Sequence, residues 1–331
     1  MLLKDDSLIQ KNQTFTVLIM RELGSSVLGA WTFFASAHGT DMCGINGLPL
    51  TPNSVRILGK FQKLKTIDHP RLCKYLDIIR GKHERLMVVS EHYKNNIQEK
   101  MVRGGSVSIQ DIVQFAFDAL DALEYIHHLG IVHRCLCPQN FLIDNQGRIK
   151  LSNYGLYYMT ENGTCVPFPI GTPKYIAPEV LAGDVPTIDK HFMPTTHVPS
   201  GFKSDIWSFG IILLELTIGE MLWPNFTLEE TFQTLLLAVQ GTNKSFLTTL
   251  TTNDTVHRKL ELLPKSLKYL IEDCLIVSPC KRPTAAELLE HHLFKENNLG
   301  RELRASFVEE LFPFVSLRCE KLEIPTKATR T

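Results

Sequence analysis

The chain has 331 residues, 44% of them apolar and 21% charged, and its 35 basic side chains balance 35 acidic ones. This composition excludes a disordered or collagen-like chain, and a net charge of zero gives no general attraction to nucleic acid or anionic lipid. The 8 cysteines are scattered, which suits a reduced, cytoplasmic protein better than a disulfide framework. The longest apolar stretch, Ile206–Gly219, is too short to span a membrane, so no membrane insertion is expected.

Strand patterns precede helical patterns along the chain. Up to about residue 91, short apolar runs punctuated by Gly, Pro and Asn predict strands, interrupted by one helix over Ser54–Leu64. An amphipathic helix is predicted over Ser108–Leu129, with Ser108 as its N-cap, and a hairpin is predicted around the turn Asp144–Gly147. The later predicted helices are Asp205–Leu216, Thr227–Ala238, Lys265–Cys274 and Ala285–His291. The pattern predicts an α+β fold in which a small β-rich lobe precedes a larger helical lobe.

The same pattern divides the chain into four predicted regions. An N-terminal extension (1–13) precedes the small lobe (14–93) and the large lobe (94–296), and a tail without clear periodicity follows (297–331). Within the large lobe, Val185–Gly201 is predicted to be a loop insertion, either a solvated loop or a docking surface.

Five short motifs follow one another in the large lobe. They are His133-Arg134-Cys135 with Asn140, Asn153-Tyr154-Gly155, Gly171-Thr172-Pro173, Ala177-Pro178-Glu179 and Asp205-Ile206-Trp207. In this order and at these intervals they resemble the large lobe of a eukaryotic protein kinase, which implies a bilobal kinase fold over about residues 23–294. Strings at 32–37, 48–54 and 69–73 are similar to the TBC-domain-containing protein kinase-like family.

The resemblance identifies catalytic positions whose side chains are replaced. Phosphoryl transfer needs a base near the acceptor hydroxyl, carboxylates that hold Mg²⁺ and a lysine on the phosphates. Cys135 replaces the catalytic Asp, and Cys137 replaces the Lys of serine/threonine kinases. Asn153 replaces the metal-binding Asp, which leaves Asn140 as the other metal-ligand position. Because a neutral amide is a poor ligand for a hard divalent cation, no metal site is expected.

The small lobe departs from the kinase pattern as well. The resemblance places a vestigial nucleotide loop at Gly24, Ser26 and Gly29. Trp31 would fill much of the base pocket, and the phosphate-binding lysine would fall near Asn46. No lysine occurs between residues 12 and 59, and Lys60 stands where the glutamate partner of that lysine should be. No bound cofactor is therefore expected, although ATP with Mg²⁺ stays possible.

Other kinase positions are retained, and the resemblance gives them structural roles. Glu179 and Arg282 match the pair that fixes the activation segment to the helical lobe, and Asp205 would accept hydrogen bonds from the catalytic-loop backbone around His133. Gly155 is also retained. In kinases, Arg134 would pair with a phosphorylated residue, for which the candidates are Thr160, Thr164 and Thr172.

The retained and replaced positions predict an interaction or scaffold module with impaired catalysis. Loss of a general base alone costs about 10²–10⁴ in rate. Two alternatives stay open: an active serine/threonine-type kinase that recruits another lysine, such as Lys60, Lys63 or Lys82, and ATP binding without transfer. The family resemblance further implies a longer protein with TBC Rab-GTPase-activating and rhodanese-like domains, of which this chain is expected to be a fragment or short isoform. It also implies protein partners in Rab-linked endosomal trafficking and growth signalling, and a cytoplasmic location with endosome association through partners.

Overall fold

A computed structural model describes residues 18–22, 28–34, 53–80, 85–102, 107–155, 173–183, 201–224, 226–240, 246–247 and 254–299. In these residues a β-rich lobe is followed by a helical lobe, so the predicted bilobal α+β fold is confirmed. The predicted N-terminal extension, the insertion before Gly201 and the tail beyond residue 299 lie outside the described residues.

The small lobe is built on an antiparallel sheet with the strand order β1-β2-β4-β3. Its strands are β1 (Leu18–Glu22), β2 (Leu28–Phe34), β3 (Tyr75–Arg80) and β4 (Arg85–Glu91). Helix α1 (Asn53–Lys65) packs beside β3, and one face of the helix is fully buried through Ile57, Phe61 and Leu64. These three residues follow the i, i+4, i+7 spacing of an amphipathic helix, as the sequence pattern predicts.

The large lobe contains the remaining helices and a short three-stranded sheet. The helices are α2 (Ile97–Val102), α3 (Ile109–His128), α4 (Pro178–Gly183), α5 (Phe202–Ile218), α6 (Leu228–Gln240), α7 (Asp254–Glu261), α8 (Lys265–Cys274), α9 (Ala285–Leu289) and α10 (His292–Glu296). The sheet consists of β5 (Asn95–Asn96), β6 (Phe141–Ile143) and β7 (Ile149–Leu151). Among the described helices, none combines the length and the apolar character that crossing a bilayer requires.

Helices α3 and α5 form the centre of the large lobe. The Ser108 side chain accepts a hydrogen bond from the backbone N–H of Asp111 at 3.1 Å, so the predicted N-cap of α3 is confirmed. Helix α5 is apolar on nearly all sides and is buried along most of its length, since α3 and α8 both pack against it. A Cβ atom at Gly210 would lie 2.6 Å from the Cβ atom of Cys274, so this glycine allows the close approach of α8.

The two lobes are joined by backbone pairing. Leu72, which follows α1, forms a parallel bridge with Leu151 of β7, and the Cys73 N–H donates to the Leu151 carbonyl at 2.9 Å. The Lys150 ammonium group donates to both carboxylate oxygens of Glu91 at 2.9 and 3.1 Å. The end of β4 is therefore tied to the hairpin of the helical lobe.

Candidate functional site

The predicted catalytic loop is anchored by a buried carboxylate in the first turn of α5. Asp205 is 1% exposed and accepts hydrogen bonds from the backbone N–H groups of His133 at 2.7 Å and Arg134 at 2.8 Å. The His127 ring contacts the same carboxylate at 2.9 Å. Burial alone would raise the pKa of Asp205, but the hydrogen bond and charge of His127 outweigh it, and the pKa lies below its ordinary value. The ionised carboxylate thus fixes the start of the loop.

His133 fixes the loop to the strand that follows it. The imidazole is fully buried, its Nε2–H donates to the Ser152 carbonyl at 3.0 Å, and its Nδ1 accepts from the Cys135 N–H at 3.3 Å. These partners define a neutral ring, and burial lowers the pKa of His133 in agreement with that state. Arg134 follows with φ of 65°, which turns the chain sharply before Cys135.

Cys135 and Cys137 are the residues predicted at the positions of the catalytic base and the neighbouring lysine. Cys135 is partly buried, and Cys137 is 8% exposed. Burial raises the pKa of the Cys137 thiol to about 12, so this side chain is neutral at physiological pH. Neither position offers the carboxylate or the ammonium group that phosphoryl transfer uses at these places.

Asn140 and Asn153, the two metal-ligand positions, lie in contact with each other. The Asn153 Nδ2 group donates to Asn140 Oδ1 at 2.8 Å, and Asn140 Nδ2 donates to the Cys135 carbonyl at 2.7 Å. The Asn140 carbonyl accepts from the backbone N–H of Ser152 at 2.8 Å and from its hydroxyl at 3.0 Å. The catalytic loop and the segment after β7 are therefore linked through Asn140.

These side chains do not match the ligand set that Mg²⁺ prefers. Magnesium is bound in proteins through one or two carboxylates, whereas both side chains here are neutral amides. The Asn140 Oδ1 atom already accepts a hydrogen bond from Asn153. In the part of the chain that the structure describes, no group of three or more His, Cys, Asp or Glu side chains could hold a metal ion.

Tyr154 and Gly155 lie against the small lobe. The Tyr154 ring is fully buried 4.9 Å from the Tyr75 ring, and the Tyr75 hydroxyl donates to the Tyr154 carbonyl at 2.7 Å. Gly155 has φ of 71°, and a Cβ atom there would lie 2.7 Å from Leu64 Cδ2 of α1. A side chain at this position would therefore clash with α1 as well as strain the backbone.

The predicted nucleotide-loop positions are only partly described. Gly24, Ser26 and Asn46 lie outside the described residues, whereas Gly29 lies in β2 and pairs with Glu22 and Ser90. Strand β2 pairs directly with β4 from Leu28 to Phe34. Strand β2 contains no lysine.

Helix α1 carries the position of the expected glutamate. Lys60 is partly buried there, and the helix contains no acidic residue at all. The lysine–glutamate pair of an active kinase therefore cannot be formed by a glutamate of α1.

The retained pair Glu179 and Arg282 forms a buried ion pair. Two N–H groups of Arg282 donate to the two Glu179 oxygens at 2.7 and 3.0 Å, and the arginine is 0% exposed. Its remaining N–H groups donate to backbone carbonyls of Ile276, Lys203 and Val277 at 2.9, 2.6 and 3.2 Å. All five guanidinium donors are thus satisfied, which is the condition for burying this charge. Thr160, Thr164 and Thr172 lie outside the described residues.

Sequence reasoning missed a second buried carboxylate cluster. Glu215 of α5 is 0% exposed and accepts from the Lys174 ammonium group and the Tyr175 hydroxyl, both at 2.8 Å, and from the Leu222 N–H at 2.7 Å. Glu215 thereby connects the segment before α4 with the end of α5. An acidic residue inside the apolar stretch Ile206–Gly219 was the available signal, but nothing in the local pattern indicated its partners.

Comparison with known proteins agrees with this fold and these motifs. Residues 52–294 match the protein kinase domain family. The chain therefore belongs to the protein kinase domain family.

Several curated relatives carry the name TBC domain-containing protein kinase-like protein. The relatives from Mus musculus and Homo sapiens are 43% and 44% identical to the chain over 307 and 310 residues, which cover 92% of the chain and 34% of each relative. The relative from Dictyostelium discoideum is 31% identical over 176 residues, covering 51% of the chain and 16% of the relative. The resemblance to this group is confirmed, and the chain spans about a third of the length of the mammalian relatives it matches.

Proposed function

We propose that this kinase domain is a protein-binding module that does not transfer phosphate. One observation carries the proposal: the loop is held in place by Asp205, yet its two metal positions, Asn140 and Asn153, are amides hydrogen-bonded to each other. A fixed loop that carries Cys135 at the base position has the backbone of a kinase site without its charges. Kinases turn over at about 1–100 s⁻¹, and loss of the base alone lowers a rate about 10²–10⁴-fold.

The satisfied structural pairs support the same proposal. Glu179 with Arg282, and Asp205 with the loop backbone, keep buried charges in complete hydrogen-bond networks. Such networks are costly when one partner is removed, so they preserve a defined surface whether or not a nucleotide is bound. A rigid scaffold that presents loops is a common basis for protein recognition.

The relatives suggest where such a module acts. Their name joins a TBC domain with a protein kinase-like region. By this resemblance we propose partners in Rab-linked endosomal trafficking and growth signalling, and a cytoplasmic location with endosome contact through those partners.

One experiment separates the proposed function from its alternatives. Thermal unfolding of the purified chain is measured with and without ATP and Mg²⁺, and transfer of radiolabelled phosphate is assayed on the same sample. We expect no change in melting temperature and no transfer. Metal-dependent stabilisation without transfer would favour ATP as a structural ligand, and transfer that Lys60→Ala abolishes would establish an active kinase.

Cys135→Ala tests the binding role directly. Because the Cys135 carbonyl accepts the Asn140 hydrogen bond, the variant is expected to keep this link and to fold. Affinity capture from cells followed by mass spectrometry should recover the same partners with wild type and variant. A partner set that changes on loss of the thiol would argue for chemistry at Cys135.

A further inference from the structure

A hydrogen bond between the side chains of Asn153 and Asn140 connects the segment that follows β7 to the catalytic loop. The Asn153 Nδ2 group donates to Asn140 Oδ1 at 2.8 Å, and the Asn140 Nδ2 group donates to the Cys135 carbonyl at 2.7 Å. Asn140 is 7% exposed, so this link is largely shielded from water. In kinases, cations are held by the side chains at these two positions, whereas here the Asn153 Nδ2–H group joins the two side chains directly.

An aspartate at position 153 could not make this link by itself. An ionised carboxylate is only an acceptor, and it would face the Oδ1 atom of Asn140, which is an acceptor as well. Two acceptors at this distance repel unless a proton or a cation lies between them. The change from carboxylate to amide removes the negative charge and supplies the donor in one step.

Asn140 is held in its present orientation by its other hydrogen bonds. Its Nδ2 group donates to Cys135 and its backbone N–H donates to the Cys137 carbonyl at 3.0 Å. Its backbone carbonyl accepts two hydrogen bonds from Ser152. Rotating the Asn140 amide so that its Nδ2 group faced an aspartate at position 153 would break the hydrogen bond to the Cys135 carbonyl. The orientation of the Asn140 amide is therefore fixed by its surroundings.

The backbone at Asn153 favours the same residue. Its φ of 60° lies in the left-handed region, which asparagine and aspartate tolerate better than other non-glycine residues. Asparagine is the member of this pair that can also donate. Local conformation and hydrogen bonding therefore select the same side chain.

We infer that Asn153 replaces the metal ion as a structural link: its amide clasps Asn140 and holds the Asn-Tyr-Gly segment on the catalytic loop without any cation. This clasp rests on the proposed function, in which the cleft holds no magnesium nucleotide. It keeps Tyr154 and Gly155 packed against the small lobe whatever the nucleotide and metal concentrations are.

The test compares Asn153→Asp and Asn153→Ala with wild type, in EDTA and then in millimolar Mg²⁺ or Mn²⁺, without nucleotide. Asn145→Asp is the matched control, because Asn145 is exposed in the hairpin turn. In EDTA, both position-153 variants should melt about 2–6 °C lower than wild type and the control. Backbone amide exchange at Ser152 should be roughly tenfold faster in both. Metal should restore Asn153→Asp at least partly, and it should leave wild type and Asn153→Ala unchanged.

Three results would overturn the clasp. In the first, the position-153 variants melt at the same temperature as Asn145→Asp in EDTA. In the second, Mg²⁺ alone raises the melting temperature of wild type. In the third, neither Mg²⁺ nor Mn²⁺ raises the melting temperature of Asn153→Asp. The phosphate-transfer assay is independent of these measurements. Transfer by wild type would contradict the proposed function. The first and third results above would contradict the clasp alone, whereas stabilisation of wild type by Mg²⁺ would contradict the clasp and the expected melting result but not the expected absence of phosphate transfer.

Discussion

The catalytic loop and the Glu179–Arg282 pair lie in the same lobe, but their polar side chains are held in different ways. In the loop, the backbone is fixed by Asp205 while the side chain of Cys135 is only partly buried. In the pair, the two side chains bind each other directly. Arg282 is fully buried, and all five of its guanidinium N–H groups donate hydrogen bonds. Catalytic side chains of the loop can therefore change without unfolding the lobe, whereas the buried pair cannot lose one member.

This contrast explains which kinase positions are retained here. A side chain that served only the reaction contributes little to stability, so its replacement leaves the fold intact. A buried charge stripped of its partner costs about 3–5 kcal/mol, a large part of the stability of an ordinary domain. The predicted retention of Glu179, Asp205 and Arg282, beside the predicted replacement of the catalytic carboxylates, agrees with this difference in cost.

The largest effect on stability is expected when the buried Glu179–Arg282 ion pair is broken. Glu179→Ala leaves the Arg282 guanidinium buried without its carboxylate and should lower the free energy of unfolding by about 3–5 kcal/mol. Urea denaturation measures the loss. Glu261→Ala is the control, because Glu261 pairs with His257 in an exposed position and should cost less than about 1 kcal/mol. Similar losses in both variants would show that burial does not distinguish the two pairs.

A smaller effect is expected at the anchor of the loop. Asp205→Asn removes the charge that accepts three hydrogen bonds and should cost about 1.5–3 kcal/mol at neutral pH. Because the pKa of Asp205 is lowered by folding, its stabilisation is present above the ordinary pKa of 3.8 and is lost as the pH falls further. The difference between wild type and variant should therefore be constant from about pH 5 to 8 and shrink below about pH 4.

Asp273→Asn is the matched control for the anchor. Burial raises the pKa of Asp273, so its ionised form is disfavoured in the folded state and the amide should leave stability unchanged or slightly higher at neutral pH. Stability curves from urea titrations at several pH values test both variants. Equal losses of unfolding free energy in the two variants would contradict the anchoring role of Asp205.

The smallest effect concerns a single hydroxyl group. The Tyr154 hydroxyl is buried with no hydrogen-bond partner in the described part of the chain, so Tyr154→Phe should stabilise the protein by about 1 kcal/mol. Tyr75→Phe removes the same atom from a neighbouring ring whose hydroxyl donates to the Tyr154 carbonyl, and it should destabilise by about 1 kcal/mol. Calorimetric melting of both variants should give shifts of opposite sign. Shifts of the same sign would contradict this assignment of the two hydroxyl groups.

The two lobes, most of the longer helices and the hairpin could be predicted from local pattern. The cap at Ser108 and the turn at Asp144–Gly147 have short-range signals, since the groups that bind lie within a few residues of each other. Strand β3 has no regular alternation that the sequence could show, because its two buried positions, Tyr75 and Ile78, lie three residues apart. The order of the strands could not be predicted either, because it depends on pairing between distant segments.

The replaced catalytic residues could also be named from the sequence, but not their contacts. Asn140 and Asn153 are 13 residues apart and meet because the β6–β7 hairpin returns the chain to the catalytic loop. Glu215 lies 41 residues from Lys174, and no periodicity relates the two positions. Hydrogen bonds across such separations are set by the packing of whole elements, which a single sequence does not encode in any local pattern.

The Glu179–Arg282 pair also has a consequence for synthesis, because its members are 103 residues apart in the chain. Ribosomes add about 5–20 residues per second, so the glutamate emerges roughly 5–20 s before the arginine that neutralises it. During this interval the helical lobe cannot close around α4 and the start of α5. The nascent chain therefore leaves apolar surface around α4 exposed until Arg282 has emerged.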